Sequence, residues 1–140
     1  MTLFKCIKDI ILSEKTIQGD IRMDINNIEN ILDGVMEING ALATALIDWK
    51  SGMALGTRTN GKFDIELAAA GNAEVIKAKI ATMKSLKLSG NIQDILITLD
   101  TQIHIITLVP DNEELALYVA LDGVKSNLAL ARAKLKAAVR

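Results

Sequence analysis

The stretch DIELAAAGNAEVIKAKIATMKSLKL, Asp64–Leu88, decides how the rest of the chain is read. Placed at 100° per residue it is one long helix whose apolar surface is wider than a single core face requires. Ile65, Ala68, Ala69, Ala73, Ile76, Ile80, Met83 and Leu86 share one sector, expected to cover a core. Glu66, Glu74, Lys77 and Lys84 share another, expected to be wet. Between them Leu67, Gly71, Val75, Ala78 and Thr82 succeed each other at helical spacing and form a line along the helix. Gly71 stands in mid-helix, where glycine costs about 1 kcal/mol relative to alanine, and close approach of a neighbouring backbone is one way to offset that. The line reads as a helix–helix contact; the competing reading is a broad core face with Gly71 incidental. Asp64 is the expected N-cap and Ser89-Gly90 the expected stop.

On the N-terminal side of this helix the periodicity changes. Gly40–Asp48 is apolar on both faces, Asp48-Trp49-Lys50-Ser51-Gly52 carries turn residues, and Met53–Thr57 resumes the apolar run. This spacing predicts a β-hairpin. Gly56-Thr-Arg-Thr-Asn-Gly61-Lys62 then fits G-x-x-x-x-G-K between a strand and a helix, the context of a phosphate-binding loop. Leu96–Asp100 even resembles the apolar strand whose closing Asp supports magnesium. The next residue is Phe63, however, so the hydroxyl that would hold the metal is missing. A hairpin arm is also the wrong neighbour for such a loop, so the segment reads as a strand-to-helix turn. Further upstream, Ile28, Ile31, Leu32 and Val35 make one face of a helix over about Ile25–Ile38, with Asp24 as N-cap. Phe4, Ile7, Ile10 and Ile11 suggest a short amphipathic helix, and 15–20 a polar linker.

On the C-terminal side three strands follow closely: Gln93–Asp100, Gln102–Val109 and Glu114–Leu121. Short links make neighbours antiparallel. Leu115, Leu117, Val119 and Leu121 point one way, Ala116, Tyr118 and Ala120 the other, so the sheet needs cover on both sides. Ala41, Ala43 and Ala45 leave room for a closely packed helix. Asn127–Val139 supplies a last helix, with Leu128, Ala131, Leu135 and Ala138 on one face. The fold class is therefore α+β: a five-stranded antiparallel sheet sandwiched by helices in the order α-β-β-α-β-β-β-α, preceded by an N-terminal helical extension. Residues 1–23 form the extension and 24–140 the domain. If the strand after Gly90 lies at an edge, its unpaired backbone invites another chain.

Composition narrows the function. The chain has 140 residues, half of them apolar, enough for one domain that needs no disulfides. A net charge of −1 argues against nucleic acid as partner, and four aromatics (Phe4, Trp49, Phe63 and Tyr118) argue against base-stacking platforms. Cys6 and His104 are single, which excludes a disulfide and the usual Cys/His zinc sites. No window is apolar enough to span a membrane, and Lys5, Lys8 and Asp9 make the start a poor signal peptide, so a cytoplasmic location is the default. His104, Asp122 and Ser126 can be assembled into a triad on paper, yet no G-x-S-x-G accompanies them. Lys77, Lys79, Lys84 and Lys87 make the second half of the long helix basic. That face is either simply solvated or turned towards an acidic partner. No cofactor or metal is expected.

Element order and residues together resemble the Roadblock/dynein light chain family. Gly40-Ala-Leu-Ala-Thr-Ala-Leu-Ile-Asp-Trp-Lys-Ser-Gly-Met-Ala-Leu-Gly56 is similar to its first hairpin, with Asp48 and Gly52 at the turn. Glu66-Leu-Ala-Ala-Ala70 is similar to the start of its central helix, and Asn127-Leu-Ala-Leu-Ala-Arg132 to its last. The likeness covers about Asn39–Val139 and leaves 1–23 outside. It implies a domain that dimerises through the central helix and the edge strand after it, and that scaffolds or regulates a small Ras-like GTPase, in some bacterial members promoting GTP hydrolysis. No residue here matches a catalytic motif of that family. On the resemblance, Leu67, Gly71, Val75, Ala78 and Thr82 are contact candidates on the helix. Ile92, Asp94, Leu96 and Thr98 belong to the pairing strand. The expectation is a non-catalytic homodimer acting on a Ras-like GTPase. The alternatives are a protein-binding adaptor with no GTPase, or a nucleotide-binding enzyme using Gly56–Lys62.

Overall fold

Strands that are apolar on both faces need two layers of cover, and the computed structural model, which describes residues 25–140, supplies them. The N-terminal helix, its linker and the Asp24 cap lie outside the described residues. The elements are α1 (Ile25–Met36), β1 (Ala41–Asp48), β2 (Met53–Thr59), α2 (Ile65–Ser85), β3 (Asp94–Thr98), β4 (Gln102–Leu108), β5 (Leu115–Asp122) and α3 (Leu128–Ala138). The strands form one sheet in the order β2-β1-β5-β4-β3, every neighbour antiparallel. The α+β class, the five strands and the element order are as the sequence predicts.

Large residues fill one side of the sheet. Leu115, Leu117, Val119 and Leu121 of β5 pack with Ile28, Leu32 and Val35 of α1 and Ala131 and Leu135 of α3. The other side is lined by Ala43, Ala45, Ala54, Ala116 and Ala120, against which α2 lays Ile65, Ala69, Ala73 and Ile76. Alanines on both surfaces let this helix sit close, and close packing recovers by dispersion what the small side chains lack in area. Ala41 departs from expectation. The β1–β5 register shifts between Ala41 and Ala43, so Ala41 turns to the α1 side. One extra residue in a strand reverses the parity of what precedes it.

The hairpin turn is built as its residues suggest. Asp48 Oδ1 accepts the amides of Lys50 (3.1 Å) and Ser51 (3.2 Å), and Gly52 takes φ +81°. β2 runs two residues beyond its expected end, to Thr59, which places Gly56 inside a strand. A Cβ there would meet Leu32 Cδ1 at 2.7 Å, so Gly56 makes room for α1. Extended backbone cannot curl its amides around a phosphate, and the actual turn is only Asn60–Asp64.

The long helix ends earlier than Ser89-Gly90. Its last residue is Ser85, with Leu86 as C-cap. Lys87 adopts φ +56°, its amide donates to Lys84 O (3.1 Å), and Leu88 N donates to Met83 O (3.0 Å). This is a Schellman closure with lysine where glycine is usual. The helix therefore stops before Leu86 can join the core, and that side chain is exposed.

Candidate protein-interaction surface

Asp64 Oδ1 accepts from Leu67 N (3.1 Å), which sets the start and hence the rotation of α2. Ile65, Ala69, Ala73 and Ile76 are then buried, while Leu67 is 69% and Val75 36% exposed. Gly71, Ala78 and Thr82 are exposed too. Among the described residues, the line along the helix is thus no widened core face. Gly71 has nothing among the described residues within 4 Å of where a Cβ would stand.

The surroundings of that line follow from where α2 lies. It packs chiefly on β1 and β2. Asn72 hydrogen-bonds Tyr118 of β5, so the flank carrying Ala68, Asn72 and Val75 overlooks the β4–β3 half of the sheet. On that half, Ile95 pairs with Ile106 and Ile97 with His104, and Ile95, Ile97 and His104 are only half-buried. Parity therefore puts Ile95 and Ile97 beside α2, two residues that sequence reasoning did not select. Asp94, Leu96 and Thr98 point to the other side, towards α3.

Among the described residues β3 is an edge strand. Leu99 N donates to Gln102 O (2.8 Å) and Leu108 N to Gln93 O (3.0 Å), which makes the odd-numbered residues of β3 the ones bonded to β4. By antiparallel alternation the amides and carbonyls of Asp94, Leu96 and Thr98 face outward. Backbone and side chains thus have different roles here. Asp94 offers its backbone to the edge, but its side chain, 8% exposed, binds Arg132 of α3 through Nε (2.9 Å) and Nη2 (3.2 Å). That carboxylate raises the guanidinium pKa of Arg132 by its hydrogen bonds and charge. Leu96 is exposed on the α3 side, and Ile92 precedes the strand.

Between α2 and the sheet lies a small uncharged cluster. His104 Nε2 is 2.9 Å from Gln102 Oε1, and its Nδ1 is 3.2 Å from the Tyr118 hydroxyl. Its ring makes edge contacts with Tyr118 and Phe63. Burial lowers the His104 pKa and pushes Tyr118 up to about 12, the Asn72 hydrogen bond opposing the latter shift. The paper triad does not assemble. Both His104 nitrogens are engaged elsewhere, Asp122 Oδ1 accepts Val124 N (2.9 Å) and Lys125 N (3.0 Å), and Ser126 Oγ donates to Asp122 O (2.7 Å). The same backbone bonds hold the Asp122 carboxyl below its ordinary pKa. Among the described residues no group of three or more His, Cys, Asp or Glu could hold a metal.

A five-stranded antiparallel sheet with two helices on one side and one long helix on the other is the Roadblock-like fold. Solved structures similar to it include ones that carry that name or that of MglB. Myxococcus xanthus MglB superposes with a TM-score of 0.72 at 18% identity, covering 82% of this chain and 90% of that one. A Roadblock/LC7 domain from Streptomyces avermitilis gives 0.68 at 11% identity, covering 78% and 88%. The gliding protein MglB of Thermus thermophilus gives 0.63 at 18%, covering 80% and 87%. No family model matches the sequence and no curated protein matches it. The likeness is one of fold.

Proposed function

We propose that this chain is a non-catalytic homodimer that scaffolds or regulates a small Ras-like GTPase. The observation that carries the reading is the exposed Leu67–Thr82 line, lying beside the half-covered Ile95 and Ile97 and the free edge of β3. A second copy laid against this surface by a two-fold axis would pair β3 with β3 and set one α2 against the other, with Gly71 at the close approach. A stable interface needs roughly 800 Å² from each partner, which calls for the helix face and the sheet edge together. The Roadblock resemblance supplies the class of partner, and a cytoplasmic location belongs to the same reading. Among the described residues no helix is long and apolar enough to cross a membrane.

Light scattering of the purified chain tests the first half of the proposal, with a dimer expected and Val75→Glu expected to give a folded monomer. A variant that stays folded and fully dimeric removes the α2 line from the interface. The second half is tested by capture of a Ras-like GTPase encoded beside this chain, followed by GTP turnover with and without it. The chain alone is expected to hydrolyse no GTP. A dimer that captures no GTPase would favour the adaptor reading.

A further inference from the structure

The lysine-rich second half of α2 is not absorbed by that surface. Below it a half-open groove of about 730 Å³ runs between the C-terminal turns of α2 and α3, the Trp49–Lys50 turn and the β4–β5 turn. Its floor is apolar, formed by Trp49, Ile80, Met83, Leu108 and Val109, and Leu88 stands at its lip, 55% exposed. Lys50, Lys84, Lys136 and Arg140 surround it against one carboxylate, Glu113. Two of these cations are engaged: Lys50 pairs with Glu114 (3.2 Å) and Lys136 lies 3.9 Å from Asp94. Lys84 and Arg140 have no ion-pair partner among the described residues. The chain as a whole carries −1, so this positive excess is local.

Helix dipoles account for a cation in each last turn. They do not account for the apolar hollow between the two helix ends. Trp49 Nε1 and Thr107 Oγ1 belong to lining residues, and they are the buried side-chain polar atoms with no hydrogen-bond partner among the described residues. Buried polar groups are normally satisfied, so these two are exceptions, and this end of the molecule is cationic and concave together.

We propose that the groove binds an extended acidic peptide of a partner protein. Its apolar side chains would enter the floor and its carboxylates would meet Lys84 and Arg140. The groove adjoins the proposed dimer surface at Ile92, which lines it, but it concerns the C-terminal end of α2 and a different partner, so the proposal does not depend on the GTPase reading.

Trp49 is the only tryptophan, so its emission reports on the groove directly. The full chain is titrated with a short peptide alternating glutamate and leucine, with its lysine-for-glutamate counterpart, and with phosphatidylserine vesicles. A saturable emission shift is expected with the acidic peptide alone, weakened about tenfold in the Lys84→Glu/Arg140→Glu variant, since both positions are exposed rim charges. Should that variant lose its native circular dichroism, the milder Lys84→Gln takes its place, with a smaller loss in the same direction. No saturable response to the acidic peptide, an equal response to its lysine counterpart, or undiminished binding by a folded rim variant would each overturn the proposal. A response to vesicles alone would assign the groove to lipid and overturn it too.

Discussion

The Tyr118 hydroxyl lies 3.2 Å from Nδ1 of His104, while Gln102 Oε1, 2.9 Å from Nε2, assigns the imidazole its tautomer. Gln102 Oε1 can only accept, so Nε2 carries the proton and Nδ1 accepts from the tyrosine. A second proton on His104 would meet the hydroxyl hydrogen and force the chain of bonds from β4 through Tyr118 to Asn72 of α2 to reorganise. The one histidine of the chain is therefore a neutral structural group beneath the helix of the candidate interface.

Stability should accordingly fall in mildly acidic solution. Burial depresses the folded-state pKa of His104 below its ordinary 6.5. The unfolded chain thus binds the proton first, and the contribution is fully present above 6.5 and lost as pH falls through the folded value. Denaturant unfolding between about pH 8 and pH 5, above the range of most carboxylates, should show this decline. His104→Asn should flatten it, and an unchanged slope would mean that the imidazole titrates alike in both states.

The edge strand is pinned to α3 from beneath by one carboxylate. Asp94→Ala removes the acceptor of two Arg132 hydrogen bonds, 2.9 and 3.2 Å long, and should cost about 1–2 kcal/mol. Amide exchange should accelerate in β3 before it does in β5. Global destabilisation with β3 protection unchanged would show that the pair does not hold the edge.

Lys87 occupies the left-handed position that closes α2, a conformation costing a residue with a Cβ about 1–2 kcal/mol. Lys87→Gly relieves that cost but adds freedom to the unfolded chain, so a net gain of about 0.5–1 kcal/mol is expected in thermal or denaturant unfolding. A loss would mean that the lysine side chain makes a contribution larger than its backbone strain.

Gly71 separates local from quaternary effects. Open space surrounds it among the described residues, so Gly71→Ala should raise helix stability by about 1 kcal/mol under conditions where the protein is dissociated. If two α2 helices cross there, the added methyl should weaken self-association on dilution in analytical ultracentrifugation. Tighter or unchanged association would move the crossing point away from Gly71.

Much of this architecture is legible in the sequence because it is local. The period of apolar residues names each helix and strand; Asp64, Asn127 and Asp48 mark ends and turns through hydrogen bonds to amides two or three residues away, and Gly52 through its positive φ. The failures have physical reasons. Gly90 looks like the stop of α2, but Lys87 reaches the left-handed region first. Ala41 looks aligned with Ala43, but a register shift lies between them. In Asp94-Ile-Leu-Ile-Thr98 the apolar side chains fall on both faces, so their alternation cannot say which face meets α2. Ile95 and Ile97 are assigned only by their partners Ile106 and His104.

By itself, then, the sequence determined the elements, the Asp64 cap, the line along α2 and the need for cover on both faces of the sheet. These depend on spacing along the chain. The tertiary structure alone decided that β3 is an edge among the described strands, which half of the sheet α2 leaves open, and that two helix ends converge on a cationic groove. Strand order and helix placement depend on contacts between residues far apart in sequence, and no local period encodes them.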